Sequence, residues 1–233
     1  MIEIGAGEAR DPGEGRTRDW ELVRYVGRRG LVAMRHVMAA MEVGRTAAYR
    51  RVAACIEAEL LERLEVIRSE PGLLRATKDG LRYAGLGLPI AKVTPGAVDH
   101  WLRCTTTAQL AARKYGTDRV LSERELLFAE QIAGHPIASA KVGELPNGRP
   151  RLHRPDLAVL TDEGTIAIEV ELTPKAPQRL QGLIRGWRYA IGTHQLIEVH
   201  YLCAPGQTQR AVERAVHSVR AEGCIAIAEA PGR

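Results

Sequence analysis

The sequence predicts an α/β (α+β) chain of two domains, three short helices with a hairpin first and an α/β domain with a mixed central sheet behind it. Three observations predict this. Apolar residues between 19 and 60 recur at helical spacing, two short apolar runs then flank a Pro-Gly turn, and beyond residue 154 strand-like alternation gives way to an apolar-striped segment and further strand runs. At 233 residues and 45% hydrophobic content, the chain can bury one large core or two modest ones.

Residues 1–18 are Gly-rich and acidic, without the charged-then-apolar order of an export signal, and are expected to be a flexible N-terminus. From 19 to 40, Trp20, Leu22, Val23 and Val26, then Leu31, Val32, Val37 and Met38, give two short helices broken at Gly27–Gly30. A third helix starts near Arg45. Val52, Cys55, Ile56 and Leu60 line one of its faces, and Thr46, Tyr49, Arg50 and Ala53 another. The runs 64–67 and 73–76, separated by Arg68-Ser69-Glu70-Pro71-Gly72, form a hairpin. Helix, helix, helix, hairpin is the order of a winged helix-turn-helix, which "GRTAAYRRV", "ELLERLEVI" and "RATKDGLRYAG" resemble over residues 19–84.

A recognition helix fits the DNA major groove, and cations in its N-terminal half reach phosphates or guanine edges. The resemblance therefore implies that Arg45, Thr46, Tyr49, Arg50 and Arg51 contact double-stranded DNA. Charge placement agrees. The chain carries a formal +5 with pI near 9.2, and residues 19–92 hold 13 Lys+Arg against 9 Asp+Glu while 93–233 hold 17 against 15. The competing reading is a small helical module for protein contact, with Arg50 and Arg51 merely solvated.

Residues 85–98, "GLGLPIAKVTPGAV", lack a helical period and read as a linker. The second domain, 99–233, opens with a helix over about 99–115. A helix over 122–133 follows, whose Ser122 and Glu125 stand in capping-box spacing. Then "HRPDLAVLTDEGTIAIEVELTPK" gives a hairpin about a Thr161-Asp162-Glu163-Gly164 turn. In its second strand Ile166, Ile168, Val170 and Leu172 alternate with Thr165, Ala167, Glu169 and Glu171, so one face is core and the other carries two carboxylates. A hairpin symmetric about the Asp162–Glu163 bond pairs residues whose numbers sum to 325, setting Asp156 opposite Glu169 with Cβ atoms about 5 Å apart.

Converging carboxylates repel unless a cation neutralises them, and an oxygen-only set suits Mg²⁺ or Mn²⁺. Such an ion polarises a phosphodiester and acidifies a water, which is hydrolytic nuclease chemistry. Asp156, Glu169 and Glu171 are the candidate catalytic and metal-binding residues, with Glu125, and less directly Glu123, as an outer metal contributor. The plain alternative is an exposed acidic face paired with Arg154, Arg179 or Arg185. Beyond it, Leu180, Leu183, Ile184, Trp187 and Ile191 make an apolar stripe, and Gln181, Arg185 and Arg188 share another face. A buried strand (199–203), a helix (207–220) and a last strand (224–228) complete the expected elements. His153 and His194 have no diagnostic spacing and stay outside the candidate site.

Pro155-Asp156 and Glu169-Val170-Glu171, in the order helix, hairpin, helix, strand, resemble the PD-(D/E)XK nuclease superfamily over residues 119–205. The resemblance implies that Arg185 and Arg188 touch phosphates. One position departs: where the superfamily carries Lys, this chain has Glu171. Lys175 lies four residues on and could reach back, although Pro174 marks the end of the strand. With the winged helix ahead of it, the whole chain resembles the replication-relaxation proteins of actinobacterial plasmids and integrative elements, on "ERE", "RPD" and "EVEL".

The function these readings imply is a mobile-element DNA-binding protein with a Mg²⁺- or Mn²⁺-dependent endonuclease domain. The alternative is a non-catalytic transcription or replication regulator that keeps a degenerate nuclease fold; a third reading is a protein scaffold without nucleic acid. Four scattered cysteines without a C-x-x-C pair and the absence of an apolar run of about 20 residues point to a cytoplasmic protein without a membrane partner, and the DNA-binding expectation makes it nucleoid-associated. Winged-helix proteins often pair, so a homodimer is expected.

Overall fold

Helix α1 (Glu14–Arg29) ends at Gly30, whose φ of 80° lies in the left-handed region that favours glycine. In the computed structural model, which describes residues 14–65, 72–193 and 195–232, α2 (Met34–Met41) and α3 (Arg45–Glu57) follow. Strands β1 (Leu61–Leu64) and β2 (Leu73–Ala76) then pair antiparallel. Val32 bridges Leu74 through two backbone hydrogen bonds of 3.1 and 2.8 Å, adding a third short rung to this wing-like sheet. Leu22, Val23, Val26, Val37, Val52 and Cys55 are buried, as their spacing predicts.

Several expectations are corrected here. Residues 14–18 belong to α1 rather than to a flexible tail; residues 1–13 lie outside the described residues. The first wing strand starts at Leu61, three residues early, because Glu59 takes a positive φ of 57° and turns the chain directly after α3. That register puts Leu61 inside and lets Arg75 grip Glu62 across the pair at 2.8 Å. The turn at Arg68–Pro71 lies outside the described residues.

Residues 85–98 are less free than a linker. Leu88 and Ala91 are buried, and Arg75 donates to the Ala91 carbonyl at 2.7 Å. The chain divides into the units Met1–Gln109 and Leu110–Arg233, so the boundary falls within α5 (Val98–Tyr115) rather than before it. The reason is packing in the first unit: Val98 and Leu102 join Leu31, Ala33 and Leu73 in one core cluster, and Thr105 donates to the Leu31 carbonyl at 2.9 Å.

His36, only 3% exposed, ties α2 to the same helix. Its Nδ1 accepts the Ala33 N–H at 3.1 Å and its Nε2 lies 3.1 Å from Thr106 Oγ1, whose own hydrogen goes to the Leu102 carbonyl. Those partners assign a neutral ring protonated on Nε2. Burial, with the Arg35 charge adding to it, drives the pKa from 6.5 down to about 4. The unfolded chain therefore takes up the proton first, and this contribution to stability is whole above pH 6.5 and lost as pH falls toward 4. The displacement is worth roughly 3 kcal/mol. Urea melts at pH 5 and 7.5 should show His36→Gln, which keeps an acceptor for Ala33, losing about 2 kcal/mol less than wild type on acidification; equal losses would acquit His36.

In the second unit β3 (Val120–Ser122) leads into α6 (Glu123–Ala133), and β4 (Ala140–Glu144) and β5 (Pro150–His153) form a hairpin of their own. Next come β6 (Leu157–Leu160), β7 (Thr165–Glu171), α7 (Pro177–Gly192), β8 (Glu198–Cys203), α8 (Gln207–Ser218) and β9 (Ile225–Glu229). The sheet order is β3-β6-β7-β8-β9, antiparallel up to β7 and parallel beyond it. Helices α7 and α8 supply the crossovers that parallel neighbours require. The class is therefore mixed α/β, and β7 is the central strand. Among the described residues no helix is long and apolar enough to cross a membrane.

Candidate functional site

The β6–β7 hairpin has the expected register: Leu157 faces Ile168 and Leu160 faces Thr165, each pair summing to 325. Asp156 stands one residue before β6, and its Oδ2 accepts the Val170 N–H at 2.7 Å, which fixes the carboxylate beside β7. The exposed acidic face, the plain alternative, is not what β7 presents. Both its faces are buried, and Glu169 and Glu171 are each 4% exposed. A strand in mid-sheet is covered on both sides, so these carboxylates left water on folding.

Each has a partner. Glu169 Oε1 lies 2.7 Å from His153 Nε2, and the His153 ring sits edge-on to Trp187 of α7 with centroids 5.5 Å apart. Glu171 is paired with Lys175, which reaches back past Pro174 after the strand has ended. Oxygens of Asp156, Glu169 and Glu171 are not gathered within 4.8 Å of one another among the described residues. The site is a mixed set of acids and bases rather than three bare carboxylates.

Burial pushes the Glu169 carboxyl from 4.5 up to about 7; Asp156 adds to the push, while His153 and Lys175 oppose it. For His153 burial acts downward, but the hydrogen bond and charge of Glu169, with help from Asp156, outweigh it and the net shift is upward. The pair therefore holds protons more firmly than either residue would in water. Tyr201 faces Glu169 across the parallel β7–β8 rung and is 1% exposed. Its hydroxyl is pushed well above its ordinary pKa by burial, and Glu169 and Glu171 push the same way. Tyr201 Oη and Trp187 Nε1 find no well-formed hydrogen bond, although the indole lies near enough to favour the phenolate. A buried donor without a good acceptor is a costly feature.

Glu125 caps α6, as its spacing predicts. Its Oε2 accepts both the Ser122 N–H and the Ser122 hydroxyl at 2.9 Å, completing the capping box. Glu123 is exposed and gives its backbone N–H to the Asp156 carbonyl at 2.9 Å, so it positions the loop through its main chain. Nor does the alternative pairing with arginine occur: Arg154 goes to Glu130 at 2.8 Å, and Arg179 and Arg185 are exposed.

Glu130 is the residue that sequence reading passed over. It is 6% exposed, and its carboxylate accepts the N–H groups of Ile137, Ala138 and Ser139 at 3.0 to 3.2 Å, the Ser139 hydroxyl at 2.7 Å and Arg154 Nε at 2.8 Å. Those donors lie just before β4 and just after β5. One acid clasps both roots of the hairpin that carries His153. Nothing in "LLFAEQIAG" announces this, because the partners arrive seven to twenty-four residues later.

In the first unit, α3 presents Arg45, Thr46, Tyr49 and Arg50 to solvent, with the Arg45 guanidinium 5.5 Å from the centre of the Tyr49 ring. Arg51 turns toward α1 and pairs with Asp19 at 2.8 Å, joining two helices. On α7, Arg185 is exposed, whereas Arg188 donates to the Val219 carbonyl at 2.7 Å where α8 ends. His194 lies outside the described residues. No protein-family model matches this chain, and no curated protein matches it.

Proposed function

We propose that the chain is a DNA-binding protein of a plasmid or other mobile element whose second unit carries a Mg²⁺- or Mn²⁺-dependent phosphodiester-cleaving site. The observation that supports it best is Glu169, buried on the central strand beside Asp156 and displaced toward neutrality by that environment. A cation relieves this cost, and the buried Tyr201 hydroxyl beside the acids is a further polar atom in want of a ligand. Asp156 and Glu169 would hold the ion, which when bound supplies charge neutralisation for a phosphodiester and a more acidic water. Lys175, anchored by Glu171, brings positive charge for the scissile phosphate. His153 orients Glu169 through Nε2. Arg45, Thr46, Tyr49 and Arg50 meet double-stranded DNA, with Arg185 contributing from α7; Arg51 acts by fixing α3. This reading includes the resemblance to replication-relaxation proteins, a nucleoid-associated cytoplasmic location and a homodimer.

A second reading, a regulator without catalysis, draws on one observation: His153 and Lys175 already answer the charges of Glu169 and Glu171. Supercoiled plasmid with Mn²⁺ separates the two. Under the first, wild type nicks the plasmid and Asp156→Ala is slower by on the order of 100-fold or more, since even outer-shell losses cost 10- to 100-fold. Absence of cleavage with either metal favours the regulator, and equal cleavage by both proteins removes Asp156 from the site.

A further inference from the structure

The β4–β5 hairpin is a small structure with unusual anchoring. Its turn is closed by the Gly148 N–H to the Leu145 carbonyl at 2.9 Å, the Leu145 N–H to the Arg149 carbonyl at 2.8 Å, and the Arg149 N–H to Asn147 Oδ1 at 3.1 Å. Gly148 supplies the positive φ of 75° that this turn requires. Its roots are clasped by Glu130, and Gln195 holds the Ser139 carbonyl at 2.8 Å. One side is pressed onto α7 at Gly186, where an added Cβ would lie 2.8 Å from the Lys141 carbonyl oxygen. These contacts fix the hairpin's backbone at its roots, its turn and one side.

Four charged side chains ride on it between its roots. Lys141 is answered by Glu144 at 3.0 Å. Arg149 and Arg151 are exposed and, among the described residues, have no acidic partner. Side chains alternate across a strand, so Arg151 shares a face with His153, and Arg149 extends that row to the turn. The row runs in steps of about 7 Å, comparable to the spacing of successive phosphates along a nucleic acid strand, and it ends at the histidine that touches Glu169.

We infer that the β4–β5 hairpin is a backbone-binding arm, on which Arg149 and Arg151 engage consecutive phosphates of DNA and lead the strand toward the Asp156–Glu169 site. The inference rests on the DNA-binding reading above and adds a second contact surface to it, independent of α3. A phosphate-binding pair carries no base information, so its signature is salt dependence without sequence dependence.

The test uses the full chain and a random-sequence duplex of about 30 base pairs, with affinity measured across a salt series. Each lost phosphate contact lowers the slope of log K against log salt by about 0.9. Arg149→Ala/Arg151→Ala should therefore flatten the slope by about 2 with unchanged thermal stability, while Arg149→Lys/Arg151→Lys keeps it. The same flattening should appear in an Arg45→Ala/Arg50→Ala background, because the surfaces are separate. If wild type binds and the alanine pair leaves its slope unaltered, the arm is overturned and the DNA-binding reading stands. If wild type shows no salt-sensitive affinity at all, both fall together.

Discussion

Glu130→Ala should destabilise the second unit by about 3–5 kcal/mol, the range for removing one partner of a buried ion pair. The loss has two parts. Arg154, whose side chain is 25% exposed, is left without its acceptor, and the N–H groups of 137–139, drawn together by one carboxylate oxygen, lose their partner in a place that is largely closed to water. Glu130→Gln retains a carbonyl acceptor for the amides but not the charge for Arg154, so roughly half the loss is expected. Urea denaturation of both variants measures this. Because the clasp holds both ends of the β4–β5 hairpin, amide exchange across 137–153 should accelerate more than exchange in β8 and β9. A uniform acceleration would mean that Glu130 supports the core generally, and a loss under about 1 kcal/mol would remove its role as a clasp.

Legibility in the sequence followed the range of the interactions. The hairpin register around Asp162–Glu163 was readable because turn symmetry and strict alternation are local; Asp156, expected opposite Glu169, stands just outside the ladder, and its carboxylate accepts the Val170 N–H. The helices of the first unit were readable from their spacing, but their ends were not: Glu59 turns the chain by adopting a left-handed conformation that no propensity assigns to glutamate. Alternation gave the two faces of β7 and said nothing about what covers the second, which depends on where α7 and the β4–β5 hairpin come to rest. For the same reason the pairing of Arg51 with Asp19, thirty-two residues apart, was not legible, whereas the reach of Lys175 back to Glu171 spans four residues and was. Side chains that satisfy a partner far along the chain look identical, in sequence, to side chains that face water.

The second large effect concerns Glu169. An acid whose pKa is higher in the folded state keeps a proton that the unfolded chain releases, so its contribution falls as pH rises from 4.5 through about 7. Above that range the native protein carries a buried carboxylate at a cost on the order of 3 kcal/mol. Glu169→Gln removes the charge while its carbonyl can still accept from His153. Without added metal at pH 8 the variant should therefore melt a few degrees above wild type. The second unit pulls in the opposite direction from His36 in the first, whose contribution grows with pH.

The most direct measurement is a thermal melt at pH 8 of wild type and Glu169→Gln, each in a chelator and in Mn²⁺. Metal at a thousand times its dissociation constant adds about 4 kcal/mol to the protein that binds it. The account predicts a crossing: the variant is the more stable protein in the chelator, and in Mn²⁺ wild type overtakes it by about 2 °C while the variant barely moves. Wild type that melts at one temperature in both solutions, or a variant that gains as much from Mn²⁺ as wild type does, would contradict a cation site built on Glu169.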